Sequence, residues 1–357
     1  MLRSWVLPLF VVAAALLIGA APSKPVDPPR IVAIGDLHGD HDAWIAIARS
    51  AGLIDRKGKW AAGNTVFVQL GDVVDRAPDS LKIIRHLMLL QREAPRRGGK
   101  VYVLVGNHEA MNMTNDLRYV HPGEFAAFAN RDSSRHRDAV YEANKAAIEA
   151  AYRARFPTMT PETIRAEWIK VTPLGKVEHQ LAWSPDGEIG RWIVRNPAVV
   201  RIGDTLFVHG GISAAYAAMP IEEINRRVAS ALKAKDESPT SIINDPHGPL
   251  WYRGLVTRQG DDETTKTIAA AATTLTIDQE IDLVLRSFGV KRIVVGHTPS
   301  LSGIVSASGG RLWRADSANS RAYGGTPSYL EIVGVRVTAH SVVRRPAATG
   351  GENCCKL

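Results

Sequence analysis

Five times in this chain of 357 residues, a short apolar run stops at a junction of glycine with aspartate, asparagine or histidine. Ile31-Val-Ala-Ile34 runs into Gly35-Asp36-Leu37-His38-Gly39-Asp40, and Thr65-Val-Phe-Val-Gln-Leu70 into Gly71-Asp72-Val73-Val74-Asp75-Arg76. Val101-Tyr-Val-Leu-Val105 ends at Gly106-Asn107-His108-Glu109, Leu206-Phe-Val208 at His209-Gly210-Gly211, and Arg292-Ile-Val-Val295 at Gly296-His297-Thr298. Apolar runs of this length with β-branched residues read as buried strands. A buried strand that delivers polar side chains at its carboxyl end is how an open α/β sheet presents a site. Five such ends form one constellation, and the rest of the chain has to bring them together.

The intervening segments fit that demand. A helix is expected around Asp42–Ala51 and another over Asp79–Glu93, where Leu81, Ile84, Leu87, Met88 and Gln91 recur along one side. Two strand–helix–strand passes in succession predict a mostly parallel central sheet. The hundred or so residues after His108 are rich in Ala, Glu and Arg. They predict helices at Gly123–Asn130, Ala139–Phe156 and Pro161–Lys170 and read as a helical insertion, about 113–190, lying over the site. Gly190–Val200 reads as a return strand, Ile221–Lys235 and Thr276–Phe288 as helices, and Pro246–Gly254 as a rigid loop. Alternating runs at Gly310–Arg314, Tyr329–Val333 and Val335–Val342 suggest antiparallel strands on a second sheet.

At the N-terminus, Arg3 precedes an apolar run from Trp5 to Ile18 that closes on Gly19-Ala20-Ala21, the layout of a secretory signal peptide. The run is short for a membrane span and carries Pro8. Residues 1–21 are therefore expected to be a cleaved signal rather than an uncleaved membrane anchor, 22–30 a Pro-rich tether, 31–343 the catalytic domain and 344–357 a disordered tail. The mature protein is expected to be secreted or periplasmic, without stable membrane insertion. Its only cysteines, Cys354 and Cys355, are adjacent at the tail, which excludes both an internal disulfide and a cysteine-nucleophile phosphatase. The net charge of +8 favours anionic partners, but the basic residues are scattered and no nucleic-acid motif accompanies them, so no nucleic-acid partner is expected.

Asp36, His38, Asp72, Asn107, His209 and His297 supply two carboxylates, an amide oxygen and three imidazoles. Asp36 and His38 alternate, so an extended backbone could point both to one side. The set is too large for one structural zinc. Two ions sharing Asp72 would use it: Asp36, His38 and Asp72 on one, and Asp72, Asn107, His209 and His297 on the other. Mixed oxygen and nitrogen donors suit Mn, Fe or Zn, divalent or trivalent, with manganese expected to serve in vitro. A pair of ions about 3.5–4 Å apart would lower the pKa of a bridging water and clamp a phosphoryl oxygen for in-line attack.

With these motifs in this order, the chain resembles the calcineurin-like metallophosphoesterases, and among them the phosphoprotein phosphatase superfamily. The long insert, Gly248-Pro-Leu-Trp-Tyr-Arg-Gly254 and Ser320-Arg-Ala-Tyr-Gly-Gly325 are most similar to the bacterial-type Shewanella-like phosphatases. The resemblance spans about Ile31 to Val333. It implies an α/β fold, a β-sandwich flanked by helices (αββα), with a dinuclear site at one rim and the same six ligands. It also implies His108 as the general acid held by Asp75, Arg76 as the phosphate grip, Arg253 as a second clamp, and a bridging hydroxide as nucleophile. The expected substrate is a phosphomonoester, either a phosphorylated protein (phosphotyrosine or phosphoserine/threonine) or a small phosphoester. The alternative is a nucleotide phosphodiesterase or dinucleoside-polyphosphate hydrolase on the same metals. Asp316, Arg321 and Tyr323 are candidates for shaping the substrate pocket. Ala77 after Asp75-Arg76, and Ala214 after His209-Gly-Gly-Ile-Ser213, depart from the eukaryotic members and bear on substrate class.

Overall fold

The computed structural model describes residues 29–258 and 274–343. The expected signal peptide, most of the tether and the tail lie outside the described residues. Two five-stranded sheets stack face to face. The first runs β10-β9-β1-β2-β3 and the second β4-β5-β6-β8-β7. In chain order the strands are β1 Ile31–Ile34, β2 Val66–Gln69, β3 Lys100–Val103, β4 Val199–Ile202, β5 Thr205–Val208, β6 Arg292–Val295, β7 Val305–Ala307, β8 Leu312–Arg314, β9 Ser328–Val333 and β10 Arg336–Ser341.

The period-two alternation of each strand builds both layers of the core. Ile31 and Ala33 of β1, Val68 of β2, Phe207 of β5 and Val294 of β6 point between the sheets, where they meet Leu104, Ala315 and Leu330. Their neighbours Val32, Ile34, Phe67, Leu206, Val208, Ile293 and Val295 point outward under helices. Helix α1 (His41–Ser50) and α2 (Ser80–Glu93) cover the first sheet; α9 (Ile221–Ala234) and α10 (Ile277–Phe288) belong with the second. This is the expected helix–sheet–sheet–helix sandwich. The helix ends are fixed by local chemistry. Asp40 caps α1 by accepting from the Ala43 N–H at 3.1 Å, and Thr276 and Gln279 cap α10 reciprocally at 3.2 and 2.8 Å.

Between β3 and β4 the chain is helical: α3 Asn107–Met113, α4 Pro122–Phe128, α5 Ser133–Arg155, α6 Pro161–Val171, α7 Lys176–Trp183 and α8 Glu188–Arg195. Helix α7 packs against α3, α4 and α5, which joins the insertion to the site-bearing α3. Among the described residues no helix is long and apolar enough to cross a membrane.

Three expectations are corrected. Gly190–Val200 is not a strand: α8 runs to Arg195, and only Val199–Ile202 is extended. Ile189, Trp192 and Ile193 are buried at i, i+3 and i+4, so a helix buries all three on one face, whereas a strand would split them. The C-terminal strands do not share one antiparallel sheet. β9 and β10 form a hairpin that adds to β1 of the first sheet, while β8 lies parallel to β6 in the second. The central sheet is accordingly mixed, β1, β2 and β3 being its parallel part. Finally, His38 is not on extended backbone: its φ is +42°, in the left-handed region.

Candidate metal centre

Every polar strand end predicted from the sequence converges at one rim of the sandwich. Left-handed backbone turns the side chains inward as the strands stop: φ is +42° at His38, +51° at Asp72, +70° at Asp75, +69° at Arg76 and +63° at His297. Such conformations cost energy at non-glycine residues and cluster at functional sites. The loops are sewn together by backbone bonds, with the Leu37 and His38 N–H groups donating to Asp72 O at 2.9 and 3.0 Å. Glycine is required where they meet. A Cβ on Gly296 would lie 2.6 Å from Asp36 Oδ1, and one on Gly71 would lie 2.7 Å from the Gly106 nitrogen.

Two of the imidazoles are oriented from behind. His38 Nδ1 donates to Val74 O at 3.0 Å and His209 Nδ1 to Leu70 O at 2.8 Å. The carbonyl partner fixes the tautomer, so each Nε2 presents a lone pair to the cavity. His38 Nε2 then faces Asp36 Oδ2 at 3.8 Å and Asp72 Oδ2 at 3.9 Å, and His209 Nε2 faces Asp72 Oδ2 at 3.3 Å and Asn107 Oδ1 at 3.0 Å. Acceptors aimed at acceptors repel one another unless a cation lies between them. His297 Nε2 is buried with no hydrogen-bond partner, while its backbone N–H holds both Asp36 oxygens at 3.1 and 3.2 Å. An orphaned buried imidazole nitrogen beside carboxylates fits a metal ligand. Two groups of donors have their atoms within 4.8 Å of one another: His38, Asp72 and His108, and Asp72, His209 and His297. Asp72 is common to both.

The electrostatics say the same. Burial, then the Asp316 and Asp72 carboxylates, hold the Asp36 carboxyl well above its ordinary range. Burial pushes Glu109 to about 7 and Asp316 to about 6. Burial would also raise Asp72, but His209, His108 and His38 outweigh it and hold Asp72 well below the usual range. Crowded buried carboxylates with neutral imidazoles beside them are an environment a multivalent cation relieves. Burial, reinforced by His108, lowers His38 to about 3; burial, reinforced by Arg253, also lowers His297. His108 goes the other way. Burial would lower it, but Asp72 and the hydrogen-bonded Asp75 outweigh burial and raise it. Its Nδ1 donates to Asp75 Oδ2 at 2.6 Å, and Asp75 Oδ1 accepts from Asn112 Nδ2 at 3.0 Å.

The two arginines sit at the edge. Arg76 is exposed; its guanidinium lies 3.9 Å from the centre of the Tyr119 ring and 5.8 Å from that of Tyr323. Arg253 is half-buried and donates to His297 O at 2.7 Å and Thr298 Oγ1 at 3.3 Å. Of the pocket candidates, Tyr323 packs 5.1 Å from the His38 ring and Asp316 lies beside Asp36, whereas Arg321 turns away to pair with Asp40 and Asp42. Two supporting residues escaped the sequence reading. Glu109 accepts from the Asp72, Val73 and Gly106 N–H groups at 2.9, 2.8 and 2.8 Å and locks two strand ends together. Asn319 donates to Asp36 O at 3.0 Å. Asp316, named from the sequence as a pocket candidate, follows β8 as Asp36 and Asp72 follow their strands, and stands against Asp36.

Comparison with known proteins agrees with this geometry. The family profile described as calcineurin-like phosphoesterase matches residues 29–301. The chain is 31% identical over 325 residues to Shewanella-like protein phosphatase 2 of Arabidopsis thaliana, covering 87% of this chain and 77% of that protein. It is 30% identical over 323 residues to an uncharacterised protein of Schizosaccharomyces pombe, covering 88% and 80%. Its fold superposes with a TM-score of 0.62 on a cold-active protein tyrosine phosphatase at 25% identity, covering 88% of this chain and 78% of that one.

Proposed function

The chain belongs to the calcineurin-like phosphoesterase family, and from that premise we propose that it is a dinuclear-metal-dependent phosphatase of phosphomonoesters on proteins. The observation that carries the reading is the sharing of Asp72 between two donor groups, with His108, its ring held by Asp75, at their margin. Asp36, His38 and Asp72 would hold one ion, and Asp72, Asn107, His209 and His297 the other. We assign His108 to catalysis although its Nε2 also lies 3.9 Å from Asp72 Oδ2. Of the three imidazoles here with a shifted pKa, only His108 is raised, and a general acid must carry its proton to the reaction. When bound, such ions supply Lewis-acid activation of water for in-line attack and neutralise charge on the phosphoryl oxygens; manganese, iron or zinc suits these donors.

The protein's own groups do the rest. Asp75 fixes the His108 ring and stabilises its charged form, so that Nε2–H points to the cavity and can protonate the departing oxygen. Arg76, stacked on Tyr119, presents its guanidinium to phosphate oxygens. Arg253 spends one nitrogen on His297 and Thr298 and keeps its remaining N–H groups for the same phosphate. The names of the relatives, a protein phosphatase and a protein tyrosine phosphatase, support a phosphoprotein substrate with phosphotyrosine accepted. The signal-like N-terminus supports work outside the cytoplasm.

The test is hydrolysis of a phosphotyrosine peptide, a phosphoserine peptide and diadenosine tetraphosphate by the metal-loaded protein, with His108→Ala alongside. Turnover of a peptide that collapses in a variant retaining its metal upholds the reading. Preference for the dinucleotide replaces it with a nucleotide hydrolase, and two bound metals without turnover replaces it with a binding protein.

A further inference from the structure

A groove of about 1390 Å³ runs beside the metal centre, between α1, the turn at 55–59, α2 and the end of the β9–β10 hairpin. Its walls carry Arg49, Arg56, Lys57, Lys59 and Arg321 against a single carboxylate, that of Asp42. Two of the cations are already engaged: Lys59 with Glu93 at 3.0 Å, and Arg321 with Asp40 and Asp42 at 2.7 and 3.0 Å. Arg49, Arg56 and Lys57 are exposed and make no ion pair among the described residues. A concave wall with one sign of charge focuses its field into the groove and concentrates anions there.

The groove shares a wall with the site. Ser320 Oγ donates to the His38 carbonyl at 3.3 Å, the Arg321 N–H donates to Asp40 at 2.7 Å, and the Tyr323 ring lies 5.1 Å from that of His38. The 320–323 segment therefore borders the metal centre on one side and, through Arg321, the basic groove on the other. A polypeptide at about 3.3–3.6 Å per extended residue crosses such a partition in a few residues. We propose that the groove binds the acidic segment of a phosphorylated polypeptide whose phosphoester occupies the metal centre. This rests on the phosphatase reading and names the substrate class more narrowly: phosphoproteins with an acidic stretch flanking the phosphorylated residue.

The metal-loaded full chain is assayed at low salt on phosphotyrosine peptides that differ only in a run of glutamates or of glutamines, placed on the amino or the carboxyl side. Para-nitrophenyl phosphate is the small reference substrate. Exposed pairs contribute individually little, and three together predict about a five- to tenfold higher kcat/KM for the acidic peptide on one of the two sides. The gain is carried by KM and screened away at high salt. The variant Arg49→Glu, Arg56→Glu, Lys57→Glu loses that preference while hydrolysing para-nitrophenyl phosphate as wild type does. Equal kcat/KM for acidic and neutral peptides, or a preference that survives the triple variant, overturns the proposal. If wild type hydrolyses neither peptide nor reference, the phosphatase reading has failed instead. Anisotropy of the labelled acidic peptide then judges the groove: binding lost in the triple variant upholds it, and binding retained or absent from wild type overturns it.

Discussion

The His108–Asp75 contact offers a sharp test because it separates the proposed proton delivery from metal binding and phosphate binding. Asp75→Asn keeps the shape of the side chain and can still offer His108 Nδ1 an oxygen, but it removes the charge 2.6 Å from the ring. The new amide group would then face Asn112 Nδ2, donor to donor, where Asp75 Oδ1 now accepts at 3.0 Å. Hydrogen bonds to charged groups contribute about 1.5–3 kcal/mol, more than the neutral pair that replaces this one. At about 1.4 kcal/mol per factor of ten, the loss in kcat lies between about tenfold and a hundredfold. The assay is kcat for a series of aryl phosphates whose phenols differ in acidity, with metal content measured on the same samples. An acidic phenol leaves without help and should lose about tenfold or less, whereas a weakly acidic one, such as tyrosine, should lose the full amount. The dependence of log kcat on leaving-group acidity thus steepens in the variant. An equal loss across the series, at unchanged metal content, would refute His108 as the acid.

Asp72→Ala should reduce bound metal by more than any other single replacement among the proposed ligands, since Asp72 belongs to both donor groups; elemental analysis after gel filtration checks this, and full occupancy would refute the shared role. Gly296→Ala places a Cβ 2.6 Å from Asp36 Oδ1 and must push that carboxylate off the His297 N–H. Metal affinity should fall about ten- to a hundredfold with the fold retained, as read by metal titration and circular dichroism. In the insertion, His179 is fully buried between Phe125 and Phe128, with neither ring nitrogen bonded, and burial lowers its pKa to about 3. The folded imidazole is neutral, while the unfolded one gains a proton below about 6.5, so stability is lost as pH falls from about 6.5 toward about 3. At pH 5 the loss is about 2 kcal/mol, and His179→Phe should recover it, gaining more in denaturant midpoint at pH 5 than at pH 7.5. An equal gain at both would show that the ring's protonation is not involved.

What the sequence made legible here is what local chemistry alone decides. β1, β2, β3, β5 and β6 were readable because each is an apolar run that a glycine and a polar ligand bring to a stop. The six proposed ligands sit at such stops, and so do His108 and Asp75. What escaped was decided at a distance. The alternation in Ser328–Val333 and Arg336–Ser341 announces strands but not which sheet they extend, and pairing with β1, some three hundred residues earlier in the chain, settles that. Asp316 becomes a neighbour of Asp36 only because β8 joins β6 in parallel, a pairing that no motif near Asp316 signals. In α8, a short apolar stretch fits both periods until its neighbours reveal which face is to be buried.

The same distinction explains the site backbone. Extended alternation would leave Asp36 and His38 pointing to one side of a strand, yet the chain turns through left-handed conformations at His38, Asp72 and His297. A ligand still within a sheet has its backbone N–H and C=O engaged in the ladder and its side chain fixed perpendicular to the sheet. Past the last ladder bond, the N–H of His38 goes to Asp72 O, that of His108 to Asp72 Oδ1 and that of His297 to Asp36, so the strand-end residues brace one another. The strain at each turn is thus offset by bonds to a different strand end. That is why the positions cannot be read singly, and why the same side chains on one continuous strand would not make this site.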